Sequence, residues 1–519
     1  MTAVAGPPRL PARLEAGGLL RRVQGLLVFD GLRRTAPLRE LEAVLTALAS
    51  PPGAAPGAAE AYGALFRSLA GGGKTLGPAL AEALLLDENV LSRAAAGGAP
   101  APALLAAARA DLRTLQALVD AGQQLPAAVA EACGLPEAPP WWGAGAAGGA
   151  GGAGDEATRG AAGPPGLAPN GATGTVPDPD RLAGAGAAFA TRLAQADDWG
   201  ALSAELAEHY ASHGSGLLAR YRAFRWVGPA EGSQAPGAGG AALGPQPPVL
   251  GPASGLVPVP YPDAVRPSDL IGYVEERALL WRNTVHFLAG YAANNVLLYG
   301  DRGTGKSSSV KALLNAGADR PPPQATGGRG EPHEPPVDWS ALRLVEVPKS
   351  RLGDIPALMA LLRGRPQRFI LFVDDLSFEE GETQYKDVKA MLEGGLEARP
   401  ANVVVYATSN RRHLVREQFA DRAGPGSDEV HAQDTVQEKL SFADRFGITI
   451  TFPTPDQASY LAIVEGLARQ RGLPLAASAL RTRAVEWAAW HNGRSGRTAR
   501  QFVDYLAAEL GLGAAPPGR

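Results

Sequence analysis

Gly300, Gly305, Lys306 and Ser307 stand in the spacing G-x-x-x-x-G-K-[ST] within NNVLLYGDRGTGKSSSVK, residues 294–311. Glycines at these places let backbone N–H groups turn inward around phosphate oxygens. The lysine reaches β- and γ-phosphates, and the adjacent serine hydroxyl is a hard oxygen ligand for a phosphate-bound Mg2+. The pattern predicts that Gly300, Asp301, Arg302, Gly303, Thr304, Gly305, Lys306, Ser307 and Ser308 cradle the phosphates of a nucleotide. A second Gly73-Lys74-Thr75 has Ser68 where the first glycine belongs and no apolar strand before it, so it is no phosphate loop. Further on, RFILFV ends in Asp374 and Asp375. Beside a phosphate loop, Asp374 is expected to hold Mg2+ and Asp375 to orient or deprotonate the attacking water. Asn410, at the tip of another apolar run, is placed to reach the γ-phosphate or that water. No Ser-His-Asp set, H-E-x-x-H helix or cysteine nucleophile context appears, which removes protease and metal-hydrolase readings.

These side chains need a parallel sheet to bring them together. The apolar run from Asn294 breaks into the loop and restarts as a helix near Lys306, the strand–loop–helix context that the phosphate motif requires; the start of that helix adds its positive end. Leu342–Val347, Arg368–Val373, Asn402–Ala407 and Ile448–Phe452 read as further strands. The apolar residues 369–373, with no alternation, fit a strand buried on both faces, whose C-terminal end is where such sheets bind ligands. Asp354–Leu362 reads as a helix. Ile271-Gly272 lies upstream, where a phosphate-loop protein can contact adenine. After the sheet, Thr454-Pro455-Asp456-Gln457 has the form of a capping box with proline at the first helical position. Helices carrying Trp487, Trp490 and Phe502 follow. The turn GRSGRTAR before the last of them can bring an arginine over a bound nucleotide.

The chain of 519 residues is too long for one ordinary core, and its 65 glycines and 45 prolines, about a fifth of the total, leave much of it as linker. Residues 1–227 read as a helical N-terminal domain, with leucines at helical spacing (Leu38, Leu41, Leu45; Leu112, Leu115) and a pattern continuing through Leu217, Tyr221 and Phe224. A Gly/Pro-rich insert at about 134–180 interrupts it and is too poor in apolar side chains to order itself. Residues 228–267 read as an extended linker, 268–453 as the nucleotide-binding core, 454–512 as a helical lid and 513–519 as a tail. A net charge of -3 gives no long-range attraction for nucleic acid or an acidic membrane. The single cysteine, Cys133, excludes an internal disulfide and fits a reducing compartment. With no apolar run long enough to span a bilayer and no secretory leader, the expected location is cytoplasmic.

Taken together, residues 269–512 resemble an AAA+ ATPase module. The phrases LLYGDRGTGKSSSVKALLN, FVDDLSFEEG, LEGGLEARPANVVVYATSNRRHL, EKLSFADRFG and GRSGRTARQFVDYL resemble more closely the bacterial ATP-binding protein family catalogued as domain of unknown function 815. The resemblance implies a P-loop α/β sheet with a C-terminal helical lid, ATP and Mg2+ as ligands, and a ring-like homo-oligomer. It also implies a sensor at Asn410, an arginine finger at Arg445 and a lid sensor at Arg497, with Arg500 as the other candidate. The chain departs from many AAA+ proteins in carrying Asp375 where glutamate is usual. Expected functions are ATP hydrolysis coupled to conformational work on a protein or nucleic-acid client; a nucleotide-gated binding switch with little turnover; or a DNA-associated loader or helicase accessory.

Overall fold

The computed structural model describes residues 15–50, 56–141, 185–229, 254–318, 335–377, 398–410, 446–491 and 493–513. Arg445, most of the insert after Trp141 and much of the linker after Pro229 lie outside the described residues. Two compact units separate, one ending at Arg220 and the other beginning at Tyr221.

The first unit is helical: α1 (Ala16–Gln24), α2 (Ala36–Ala49), α3 (Pro56–Gly71), α4 (Leu76–Leu86), α5 (Val90–Ala96), α6 (Pro102–Gly122), α7 (Leu125–Cys133), α8 (Ala185–Gln195), α9 (Ser203–His213) and α10 (Gly216–Arg220). Leu38, Leu41 and Leu45 on α2 and Ala108, Leu112 and Leu115 on α6 bury one stripe of each helix in a common core. Asp111 also faces inward; one carboxylate oxygen accepts the N–H groups of Leu27, Val28 and Phe29 at 2.9, 2.7 and 3.2 Å. That carboxylate satisfies a turn the helices leave without partners. Trp141 packs back on Tyr62, ring centroids 6.3 Å apart. Lys74 lies between α3 and α4 and pairs with Glu82.

The second unit is built on a seven-stranded sheet. Its strands are β1 (Ala223–Trp226), β2 (Leu256–Pro258), β3 (Val296–Gly300), β4 (Leu342–Glu346), β5 (Arg368–Val373), β6 (Val403–Ser409) and β7 (Ile448–Phe452), in the order β2-β1-β4-β5-β6-β3-β7. All pairings are parallel except β1 with β2. Central strands in such a sheet are covered on both faces: β5 is buried from Phe369 on, and β6 along its whole length. Helices α11 (Val274–Leu288), α12 (Lys306–Ala312) and α13 (Ile355–Leu362) belong to the same unit. Three lid helices follow: α14 (Gln457–Gln470), α15 (Ala477–Trp490) and α16 (Gly496–Gly513). They close on a core of their own that includes Tyr460, Val464, Ala484, Phe502 and Leu506. The fold is thus the P-loop α/β sheet with a helical lid, preceded by a mostly helical region.

Several local expectations are corrected. Phe224 continues no helix: Ala223–Trp226 is a strand beside β4, and Leu256–Pro258, within the expected linker, is the strand beside it. Phe224 and Trp226 are buried there, and the Trp226 indole donates to Asp354 at 3.0 Å. The sheet edge therefore takes in two short strands that flank a Gly/Pro-rich stretch. Asp456, not Thr454, caps α14, its carboxylate accepting the Ser459 N–H at 2.7 Å and so satisfying one of the N–H groups that a helix start leaves unpaired. The Thr454 hydroxyl turns to the Asp301 carboxylate instead. Strand β6 runs on through Thr408 and Ser409, and α12 tightens into a 3-10 turn at Leu313–Ala318. No helix among the described residues is long and apolar enough to cross a membrane.

Candidate active site

Parallel strands end on one side of their sheet, so register decides which side chains meet. β3 lies between β6 and β7, with Tyr299 opposite Ser409 and Gly300 opposite Phe452. β5 runs beside β6 with Val373 opposite Ala407, which brings Asp374 level with Thr408. A cleft of about 620 Å3 opens over these ends. Its lining includes Arg302, Gly303, Thr304, Gly305, Lys306, Ser307 and Ser308 from the loop and Asp374, Asp375, Thr408 and Asn410 from the neighbouring strand ends. Arg497 and Arg500 of the lid line it too, as do Ile271 and Gly272.

Hydrogen bonds tie the polar members together. The Ser307 hydroxyl donates to Asp374 Oδ1 at 2.6 Å, and the Thr408 hydroxyl donates to the same oxygen at 2.6 Å. A serine whose proton goes to a carboxylate keeps its lone pairs for a cation. The Lys306 ammonium donates to the carbonyls of Gly300 and Asp301, each at 2.7 Å, and to Asn410 Oδ1 at 3.1 Å. Asn410 in turn donates from Nδ2 to Asp375 Oδ1 at 2.6 Å. One amide thus bridges the loop lysine and the second carboxylate. Burial pulls the Lys306 ammonium below the usual lysine range, and the charges of Asp301, Asp375 and Asp374 oppose that pull. Asp375 adopts a left-handed backbone, φ 55°, one of two non-glycine residues with positive φ among those described. An aspartate tolerates this region better than most residues.

Gly300 and Asp301 are set apart from the rest of the loop, because neither lines the cleft. Gly300, φ 142°, lies so close to β7 that a Cβ there would sit 1.9 Å from the Phe452 carbonyl oxygen. Its task is the passage of the strand into the loop. Gly303 abuts the lid: its carbonyl accepts the Arg497 N–H at 3.1 Å, and a Cβ on it would meet the Ser495 hydroxyl at 2.9 Å. The lid backbone rests directly on the loop at this point.

Apolar and aromatic side chains also line the cleft: Leu270, Ile271, Tyr273, Phe452, Ile463 and Leu467. Tyr273 donates its hydroxyl to the Pro453 carbonyl at 2.7 Å, and burial pushes its pKa up to about 12. Arg277 holds this lining in place, donating to the carbonyls of Gly272 at 2.8 Å and Pro267 at 3.0 Å. Sequence reasoning missed Thr408, Tyr273, Arg277, Ile463 and Leu467. Thr408 alone left a signal, a hydroxyl residue inside a buried apolar strand.

The cleft suits a polyanion with a divalent cation. Among the described residues, five cationic side chains line it (Arg277, Arg302, Lys306, Arg497, Arg500) against three carboxylates (Asp269, Asp374, Asp375). Among the described residues no cluster of three or more His, Cys, Asp or Glu could hold a metal unaided. Mg2+ is commonly bound by one or two carboxylates completed by substrate phosphates, which is what Ser307 and Asp374 offer.

No curated protein matches the chain in sequence. Among solved structures, a point mutant of Thermotoga maritima RuvB aligns at 13% identity over 48% of this chain and 67% of its own, with a TM-score of 0.32. The T. maritima RuvB Holliday junction branch migration motor aligns at 14% identity over 48% of this chain and 74% of its own, with a TM-score of 0.28. Both are remote in sequence and overlap only loosely in structure. The family model described as "Protein of unknown function (DUF815)" matches residues 251–510, half of the chain and the whole of the lined cleft, and the chain belongs to that family.

Proposed function

We propose that the cleft binds ATP with Mg2+ and hydrolyses it, and that the lid transmits the change to a protein or nucleic-acid client. One observation carries the reading: Lys306, Ser307, Asp374, Asp375 and Asn410, from three strand ends and joined through the Thr408 hydroxyl, form one hydrogen-bonded cluster in a cleft that apolar side chains also line. In this reading Lys306 binds the β- and γ-phosphates, Ser307 and Asp374 hold the cation, and Ile271, Gly272 and Tyr273 border the base. Mg2+, when bound, neutralises charge that develops on the transferred phosphoryl group. Asp375 takes a proton from the attacking water or orients it, and Asn410 aims Asp375 by the bond from its amide. Arg497 and Arg500, on the first turns of α16, approach the phosphates from the lid. Because the Arg497 N–H is bonded to Gly303, any movement of the loop reaches the lid through one backbone contact. By resemblance, Arg445 would act in a neighbouring subunit's site, which makes the working form an oligomer.

The test compares two substitutions in the full chain. Lys306→Ala is expected to abolish binding of a fluorescent ATP analogue. Asp375→Asn is expected to keep affinity while lowering phosphate release by roughly 10² or more, the scale of a lost general base. Unchanged affinity in Lys306→Ala would refute the reading of the loop; unchanged turnover in Asp375→Asn would move the catalytic carboxylate elsewhere.

A further inference from the structure

Building on this reading of the cleft, we infer that Thr408 is a positioning residue that sets both members of the Asp374-Asp375 pair through one buried hydroxyl, the first by its carboxylate and the second by its backbone. Its side chain sits in a parallel ladder, Leu298 opposite it on β3, and the residue is only 2% exposed. The backbone N–H of Asp375 donates to Thr408 Oγ1 at 3.0 Å. That contact leaves the hydroxyl proton to be given away, and it goes to Asp374 Oδ1 at 2.6 Å. Both ends of the hydroxyl are therefore committed, one to each residue of the pair.

Two consequences follow from chemistry. Ser307 and Thr408 both donate to Oδ1 of Asp374, so Oδ2 is the oxygen left for a cation. Asp375 meanwhile holds a left-handed backbone, a conformation that persists where surroundings over-determine it. Its N–H is fixed by Thr408, its carboxylate accepts from Asn410, and the following Leu376 N–H is bonded to the Thr408 carbonyl at 2.7 Å. Thr408 and Asn410 stand two residues apart, so one strand end orients the metal-side carboxylate with a hydroxyl and the water-side carboxylate with an amide.

The experiment reads the cation as well as turnover. Mn2+ is titrated into the full chain in the presence of ADP, and free Mn2+ is followed by electron paramagnetic resonance. Thr408→Val, which keeps the shape and removes the hydroxyl, is expected to raise the Mn2+ concentration for half-saturation about 10–100-fold, the scale for losing an outer-shell partner. Phosphate release should fall by a similar factor, while ADP affinity without divalent cation stays that of wild type. Thr408→Ser restores the hydroxyl and is expected to recover cation binding. If Thr408→Val fails to fold by circular dichroism, Thr408→Ser against Thr408→Ala gives the same comparison. Wild-type Mn2+ half-saturation in Thr408→Val overturns the inference, as does a serine variant that falls as far as the valine one, since packing would then be the cause. A wild-type chain that binds no nucleotide at all defeats the reading of the cleft itself, and this inference with it.

Discussion

Alanine at Gly300 and alanine at Gly305 would look alike in the motif, yet the structure gives them different costs. At Gly300 a Cβ falls 1.9 Å from the Phe452 carbonyl oxygen and 2.8 Å from its carbon, with φ at 142°. A tolerable C···O contact is about 3.3 Å, so β3 and β7 must separate by roughly 1.4 Å. Hydrogen bonds near 2.9 Å do not survive that displacement. Losing two of them at about 1 kcal/mol each, with about 1–2 kcal/mol of backbone strain, brings the loss to about 3–4 kcal/mol. The disturbance also reaches the cleft, because the next residues carry the Pro453 carbonyl that holds Tyr273 and the Thr454 hydroxyl that holds Asp301. Gly305, φ 96°, has nothing within 4 Å of its Cβ position, so Gly305→Ala meets backbone strain alone, about 1–2 kcal/mol. Urea unfolding with hydrogen exchange read on peptides of β3 and β7 measures both. Gly300→Ala should lose protection across β3 and β7, and Gly305→Ala should keep it. Equal losses in the two variants would refute the claim that Gly300 is required by strand packing.

Other expectations are as specific. Burial, with the nearby His213 charge, holds His209 down at about 4, below its ordinary 6.5, so its contribution to stability is full above pH 6.5 and lost as pH falls through 4. Burial lifts Asp87 to about 6 from 3.8, so its contribution is full below pH 3.8 and lost as pH rises through 6. The two oppose each other between these values; Asp87→Asn should make the helical unit acid-sensitive and His209→Gln should reverse the slope, each by about 3 kcal/mol in urea unfolding at pH 4 against pH 7. A fragment beginning at Tyr221 should stay monodisperse in light scattering, whereas one beginning at Asp269 lacks β1 and β2, exposes the edge of β4 and should aggregate. Arg445→Ala should keep ATP affinity and lose about 10³–10⁵ in turnover, and mixing it with Lys306→Ala should restore part of the activity. Concentration-independent turnover without rescue would remove the finger in trans.

What could be read from the chain was mostly local. The phosphate loop, the double aspartate after RFILFV and the run ending at Asn410 are short, contiguous signals, and the strands carrying the last two are buried on both faces. The misses depend on partners far away in sequence. β1 and β2 are four and three residues long, and what makes β1 a strand is β4, more than a hundred residues later. At the helix start after β7, the capping-box spacing points to Thr454. The nearby Asp301 carboxylate draws that hydroxyl away and leaves the cap to Asp456. Tyr273, Arg277, Ile463 and Leu467 carry no motif and are recognised only once the cleft closes around them.

Asp375 stands where the resemblance to AAA+ proteins leads one to expect glutamate, and the geometry bears on that difference. A side chain shorter by one methylene has less reach, and the backbone can supply what the side chain lacks. Asp375 leaves β5 through a left-handed turn, and the turn is held by the Thr408 hydroxyl before it and the Leu376–Thr408 backbone bond after it. From there its carboxylate meets the Asn410 amide, whose oxygen is already bonded to Lys306. A short acid on a fixed, strained turn loses less side-chain freedom when it is aligned than a longer acid on a relaxed one. In the proposed ATPase, the arrangement would thus hold the short acid in alignment through backbone conformation and the two polar side chains that end β6.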